Sequence, residues 1–408
     1  MELRINMSDM KINIIEHIKK LRTIFILWTM VYGLWTNSVA FAAWTTNIVD
    51  SSVDTQYMSL DIDTNGFAHI SYYDSTNNKL RYSSFDGANW NIQLVDAGIV
   101  GRYSSLELDT NGYANISYYH ANISGLRFAK YNGTGWDVQT VDSVGNVGNY
   151  DSLSLDTNGY AHISYYDQTT TNLKYAEFNG TGWTLEVVDT NSSTGTGTSI
   201  DIDSDGYAHI GYFDGNNINL KYAVFNGTGW DVQTIDSSSD LGYFPSLVLG
   251  SDGYAQISYH DDGNFDLRYA KFNGTGWEIS IVDSGDNTGT NTSIALDSSG
   301  NPYISYLEYV DGDAYNLKLA HFNGTGWEIE IVATDASFLG FLQDRYIRVY
   351  NDNVYITYSN ANGDLVVVTN ATSGFVDEPS LNILAFIIFV LVIIHGQARY
   401  ASVVGRRS

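Results

Sequence analysis

Cysteine is absent from this sequence, which excludes disulfides and thiolate metal sites. Proline occurs three times in 408 residues, so turns fall to glycine, asparagine and aspartate. Basic residues are scarce: 20 Lys and Arg stand against 46 Asp and Glu, a formal charge of -26. A field of that sign repels phosphate backbones and argues against a nucleic-acid partner. Long apolar runs are confined to the two ends. What remains is rich in tyrosine (31 residues) and in strand-forming Val, Ile and Thr, a composition that reads as all-β.

The N-terminal end carries a basic stretch, "HIKKLR" (17–22), then an apolar run from Thr23 to Ala42 closing on "AFAA". Ala40 and Ala42 are small residues two apart, as a signal-peptidase site requires, so residues 1–42 are expected to be a secretory signal peptide. An uncleaved anchor helix is the alternative. At the other end, "LNILAFIIFVLVII" (381–394) precedes Arg399, Arg406 and Arg407, and positive charge after an apolar run marks the cytoplasmic side. The expected layout is a central domain at 43–370, a linker at 371–380, an apolar helix at 381–396 and a basic cytoplasmic tail at 397–408. With "VDEPS" (376–380) in front of it, this end resembles the PEP-CTERM sorting tags of Gram-negative bacteria. Glu378, Pro379 and Ser380 match that motif, Asp377 replaces its first Pro, and the stretch after the helix is longer than in the usual tag. The resemblance implies cleavage by a sorting protease; a plain C-terminal membrane anchor fits the same residues.

Between the ends one phrase returns six times, as "FDGANW", "YNGTGW" and four copies of "FNGTGW". Trp44, Trp90, Trp136, Trp183, Trp230, Trp277 and Trp327 are spaced by 46, 46, 47, 47, 47 and 50 residues. A period in the forties with strand-type residues marks a four-stranded propeller blade. From Tyr150 one repeat reads as strand A (150–156), the turn "TNG", strand B (160–167), a loop, strand C (173–179), the turn "GTG" and strand D (183–189). Each strand type occurs seven times, but the first D, "WTTNIVD" (44–50), precedes any A, and the last A, B and C have no D after them. The expectation is an all-β, seven-bladed β-propeller with four antiparallel strands per blade, closed by the N-terminal strand pairing with the last blade; open ends would leave two edge strands unpaired. The C–D phrase resembles the Asp-box turn of sialidase-type propellers, with Gly133 and Trp136 in place and Tyr131 where the Asp stands. "YYDSTNNKLRYSSF" resembles repeats of bacterial exported propellers and of fucose-lectin-like propellers.

In such a blade the A–B and C–D turns share one rim, and here they are monotonous. The B–C and D–A loops share the other rim and vary from blade to blade, so recognition is expected there. The B strands end at this rim in aromatic–polar groups: Tyr72-Tyr73-Asp74, Tyr118-Tyr119-His120, Tyr165-Tyr166-Asp167, Tyr212-Phe213-Asp214, Tyr259-His260-Asp261 and Tyr306-Leu307-Glu308. An aromatic plate beside a carboxylate suits a sugar, covering its apolar face and accepting bonds from its hydroxyls. The candidate ligand residues are Tyr73, Asp74, Tyr119, His120, Tyr166, Asp167, Phe213, Asp214, His260, Asp261 and Glu308. The same residues admit a purely structural role, with Tyr packing between blades and Asp capping a turn.

Other features carry less. "DIDTNG" and "DIDSDG" begin like a calcium loop, but Asp61 and Asp201 have no counterpart in several blades and Tyr72 and Tyr212 stand where its Glu belongs. His69, His162 and His209 share one repeat position with Asn115 and Gln256, which suggests hydrogen bonding between blades. Arg81, Arg127, Arg268, Lys174, Lys221 and Lys318 share a strand-C position and read as solvated. Arg345 and Arg348 fall in the innermost strand of the divergent last blade, through drift or as a small anion site. The Asn-Gly-Thr phrases match glycan acceptors, but turn chemistry accounts for them. No catalytic residue, metal ligand or cofactor is assigned. The expected function is an exported, surface-associated binding propeller for glycan or another extracellular polymer; the alternatives are an adhesive protein–protein scaffold and, further off, a sialidase-like glycosidase.

Overall fold

The computed structural model describes residues 44–190, 193–238, 241–285, 287–312, 314–337 and 346–371. The expected signal peptide, C-terminal helix, basic tail and Arg345 lie outside these residues, as does all but the first residue of the linker. Among the described residues no helix is long and apolar enough to cross a membrane.

Those residues form seven four-stranded antiparallel sheets arranged as a ring. Blade 3 shows the plan, with strand A at Val147–Leu155, B at Ala161–Asp167, C at Asn172–Phe178 and D at Trp183–Asp189. The ring closes as expected. Thr45–Asp50 is the outer strand of blade 7, beside Leu365–Thr369, with Thr46 opposite Val368 and Ile48 opposite Val366.

The repeated phrase is a self-contained turn. In blade 3 the Asn179 side-chain oxygen accepts the amides of Thr181 and Gly182 at 3.0 Å and the Thr181 hydroxyl at 2.8 Å. Gly180 has φ +88°, a conformation that glycine takes without cost. The A–B turn works alike, with the Asp156 carboxylate accepting the amides of Asn158 and Tyr160 at 2.9 and 2.7 Å. The tryptophan after the C–D turn in blades 2 to 6 meets the preceding blade edge-on: Trp183 stands 5.4 Å from Phe128, and Trp230 stands 5.1 Å from Tyr175.

Two further devices join neighbouring blades. A serine in the inner strand of each of blades 1 to 6 accepts a backbone amide of the next inner strand, as in Leu153 N–H to Ser105 at 3.0 Å and Leu247 N–H to Ser199 at 2.8 Å. Deeper in five of the interfaces lies a Tyr–Asp–cation triad. The Asp142 carboxylate, at the end of strand D in blade 2, accepts the Tyr165 hydroxyl at 2.9 Å and the Lys174 ammonium at 2.5 Å, both from blade 3. Asp189 receives Tyr212 and Lys221 in the same way, Asp283 receives Tyr306 and Lys318, and Asp96 receives Tyr118 and Arg127. The strand-C cations, read from the sequence as solvated, are instead held by carboxylates. Lys221 is 5% exposed and Lys318 9% exposed, because that face of strand C meets strand D of the preceding blade and not water. Burial works to raise the Asp142 carboxyl, but Lys174 and the backbone amide of Val144 hold it below its ordinary range.

The histidine position also differs from expectation. His162 Nδ1 is bonded to the Tyr175 hydroxyl at 2.5 Å, and His69 and His209 are bonded likewise to Tyr82 and Tyr222. Each pair joins strands B and C of one blade, not two blades. Gln256 takes the same part, accepting from Tyr269 at 2.5 Å, and Asn115 stands where the partner is Phe128, which has no hydroxyl. Burial pushes the His162 imidazole down to about 4 from an ordinary 6.5. The unfolded chain therefore binds this proton first as pH falls, so stability is lost between pH 6.5 and about 4, by on the order of 3 kcal/mol for this group. His162→Gln, which copies blade 5, is expected to flatten the pH dependence of the urea midpoint in that window. An unchanged slope would contradict the assignment.

Candidate functional site

The three residues that end each B strand have separate tasks. The first, Tyr72, Tyr118, Tyr165, Tyr212, Tyr259 or Tyr306, is fully buried and donates to the aspartate at the end of strand D of the preceding blade. Burial drives these phenols well above the ordinary range, so they stay protonated and donate to the carboxylate. The third residue caps the B–C turn. Asp74 accepts the Asn77 amide at 2.9 Å, Asp167 those of Thr169 and Thr170 at 2.9 and 3.1 Å, Asp214 those of Asn216 and Asn217, and Asp261 that of Asn264 at 3.0 Å. Asp74 also receives Arg81 at 2.7 Å and Asp261 receives Arg268 at 2.7 Å. Glu308 is half-buried and receives Asn316 at 2.8 Å and Lys318 at 3.0 Å. His120 is 8% exposed, and burial lowers its imidazole.

The second residue turns towards the central mouth. Tyr73, Tyr119, Tyr166, Phe213 and His260 are all buried, and in front of most of them stands a second aromatic ring supplied by strand A. Tyr57 is 6.2 Å from Tyr73, Tyr103 is 6.4 Å from Tyr119, Tyr150 is 6.2 Å from Tyr166 and Phe244 is 6.2 Å from His260. The front rings of blades 1 to 3 also touch one another: Tyr57–Tyr103 and Tyr103–Tyr150 are each 4.6 Å apart between centroids. Half-buried tyrosines thus form an arc at the end of the inner strands that joins the D–A loops, on the variable rim.

The backbone of this arc is unusual. Tyr57, Tyr103, Tyr150 and Phe244 have φ of 50, 58, 56 and 52°. The left-handed region costs a residue with a Cβ roughly 1–2 kcal/mol. It arises because strand A bulges here, its register against strand B slipping between Asn149 and Ser152. The matched position is Gly197 in blade 4 and Asn291 in blade 6, at φ of 64 and 51°. The bulge is therefore satisfied by residues that carry no ring. Aromatic side chains in blades 1, 2, 3 and 5 are not demanded by the fold, and strain kept at matched positions points to use. Desolvation by burial raises the Tyr57 and Tyr103 phenols, so both stay neutral and able to donate and accept.

Sequence reasoning reached the back row, Tyr73, Tyr119 and Tyr166, and missed the front row. The signal lay in an aromatic two residues before a serine, in "QYMS", "RYSS", "NYDS" and "YFPS". At the opposite end of the channel Arg348 Nε pairs with Asp61 at 3.0 Å, which occupies the residue considered for an anion. Asp61 and Asp201 also accept inner-strand amides of other blades, from Leu108 at 2.8 Å and Leu249 at 2.9 Å. Among the described residues no cluster of three or more His, Asp or Glu could hold a metal ion.

No protein-family model matches the chain. No curated protein matches it either. Among solved structures it is similar to a polysaccharide lyase, an ulvan lyase (14% identity, TM-score 0.53, covering 77% of this chain and 94% of that one). It is also similar to AofleA from Arthrobotrys oligospora (12%, TM-score 0.50, 74% and 94%). A lectin of Aleuria aurantia in complex with Fucα1-6GlcNAc matches at 17% identity and TM-score 0.49 over 69% of this chain and 96% of that one. At these identities the likeness is one of propeller architecture.

Proposed function

We propose that this chain is an exported, surface-associated propeller that binds glycan, or another extracellular polymer built of sugar-like rings, on the variable rim. The observation that carries this reading is the arc Tyr57–Tyr103–Tyr150, held at left-handed φ where the fold accepts glycine. A continuous row of tilted aromatic rings, with phenol hydroxyls at their edges, offers apolar surface and hydrogen-bonding groups to the apolar faces and hydroxyls of pyranose rings. Tyr73, Tyr119 and Tyr166, named from the sequence, stand behind the arc. That an ulvan lyase shares the architecture adds support for a polysaccharide as the partner class. Export rests on the N-terminal apolar run, and attachment or sorting on the C-terminal one.

An adhesive scaffold is the second reading. It is favoured by the outer strands, which show Leu94, Val187, Ile281 and Ile331 to solvent at 49, 47, 50 and 51%. Probing the intact chain on a glycan array separates the two. Specific oligosaccharide binding, competed by the free sugar, is expected; an array without any hit, together with binding to other proteins, would favour the scaffold.

A further inference from the structure

The charge at the mouth narrows the ligand. Arg102 directly precedes Tyr103 in the inner strand of blade 2, is exposed, and sets its guanidinium 5.7 Å over the ring of Tyr73 in blade 1. Every other described arginine has a carboxylate within 3.4 Å: Arg81 with Asp74, Arg127 with Asp96, Arg268 with Asp236 and Asp261, Arg348 with Asp61. Arg102 has none among the described residues, in a chain of net charge -26. The repeat does not ask for charge there. The matched residues are Gln56, Asn149, Thr196, Tyr243 and Thr290, all neutral. So among the described residues blade 2 alone adds a cation at this position, beside the middle ring of the arc.

Building on the proposed glycan reading, we infer that the mouth takes an acidic sugar, with a carboxylate or sulfate on the ring that stacks against Tyr103 received by Arg102. A guanidinium offers a planar fork that matches either anion with two parallel hydrogen bonds. Its stacking on Tyr73 pre-orients that fork. The surrounding negative field is screened beyond about 8 Å at physiological ionic strength, so discrimination by charge rests on this contact at close range. Short oligosaccharides are favoured over long polyanions, whose flanking charges meet the acidic body of the protein.

The test is an array of neutral, uronate-containing and sulfated oligosaccharides probed with the intact chain and with Arg102→Gln and Arg102→Lys. The variants sit on an exposed side chain and are expected to keep the wild-type melting temperature. The expected result is that the strongest hits carry a carboxylate or sulfate, that Arg102→Gln weakens them at least tenfold, and that Arg102→Lys retains part of the binding. Uronate against sulfate hits identify which anion is read. Hits confined to neutral sugars, or acidic hits untouched by Arg102→Gln, overturn this inference and leave the glycan reading standing. An array without hits overturns both.

Discussion

Tyr103→Gly is expected to weaken glycan binding at least tenfold while leaving the melting temperature within a few degrees of wild type. Two effects oppose each other in stability. The substitution removes a half-buried ring that touches Tyr57 and Tyr150, each at 4.6 Å. It also relieves a φ of 58°, worth roughly 1–2 kcal/mol, as Gly197 does in blade 4. In binding nothing offsets the loss. A ring face covered by ligand is worth roughly 1.5–3 kcal/mol in buried apolar area, and 1.4 kcal/mol is a factor of ten. Tyr57→Gly and Tyr150→Gly combined with it are expected to remove detectable binding. Glycine is the informative replacement. Alanine would keep the backbone strain and lose the ring, so a fall in affinity could not be told from a shift in the strand. A variant that unfolds early, or that binds as wild type does, would place the arc among the packing residues.

The second large effect is expected at the blade interfaces. Lys221→Ala leaves the Asp189 carboxylate, itself 5% exposed, with the Tyr212 hydroxyl at 2.6 Å but without its cation. A buried charge stripped of its partner typically costs about 3–5 kcal/mol. Combining Lys221→Met with Asp189→Asn removes both charges and keeps an acceptor for Tyr212, and most of the lost stability is expected to return. Blade 7 dispenses with the cation in its own way: Val366 stands opposite Tyr358 at the cation's position, Tyr358 donates to Asp335 at 3.0 Å, and Asp335 is exposed. Urea denaturation of the three proteins reads the result directly. A single variant as stable as wild type would show that the triads add nothing.

The architecture was legible because its signals are local and repeated. The Trp period counts blades, the Asn-Gly-Thr turn closes each C–D hairpin by itself, and the complementary fragments at 44–50 and after residue 345 imply the closure that Thr45–Thr369 pairing realises. The site was half legible. Tyr73, Tyr119 and Tyr166 stood out as the second members of doublets, but alternation along a strand cannot say which face meets water and which the next blade. That ambiguity hid the burial of Lys221 and Lys318. It also left open which tyrosine of a doublet was structural: Tyr165 is committed to Asp142, whereas Tyr166 backs Tyr150. The front row escaped because a bulge that turns an aromatic residue to positive φ is a property of strand pairing, and residue type alone argues against it.

A crystal structure of the intact chain grown with an acidic oligosaccharide from the array is the most direct measurement of the central claim. The account predicts a sugar ring lying flat on Tyr103, its neighbour over Tyr57 or Tyr150, and its anionic group within hydrogen-bond distance of Arg102. Density for the sugar on the A–B and C–D rim, or a mouth left empty at saturating ligand, would contradict it.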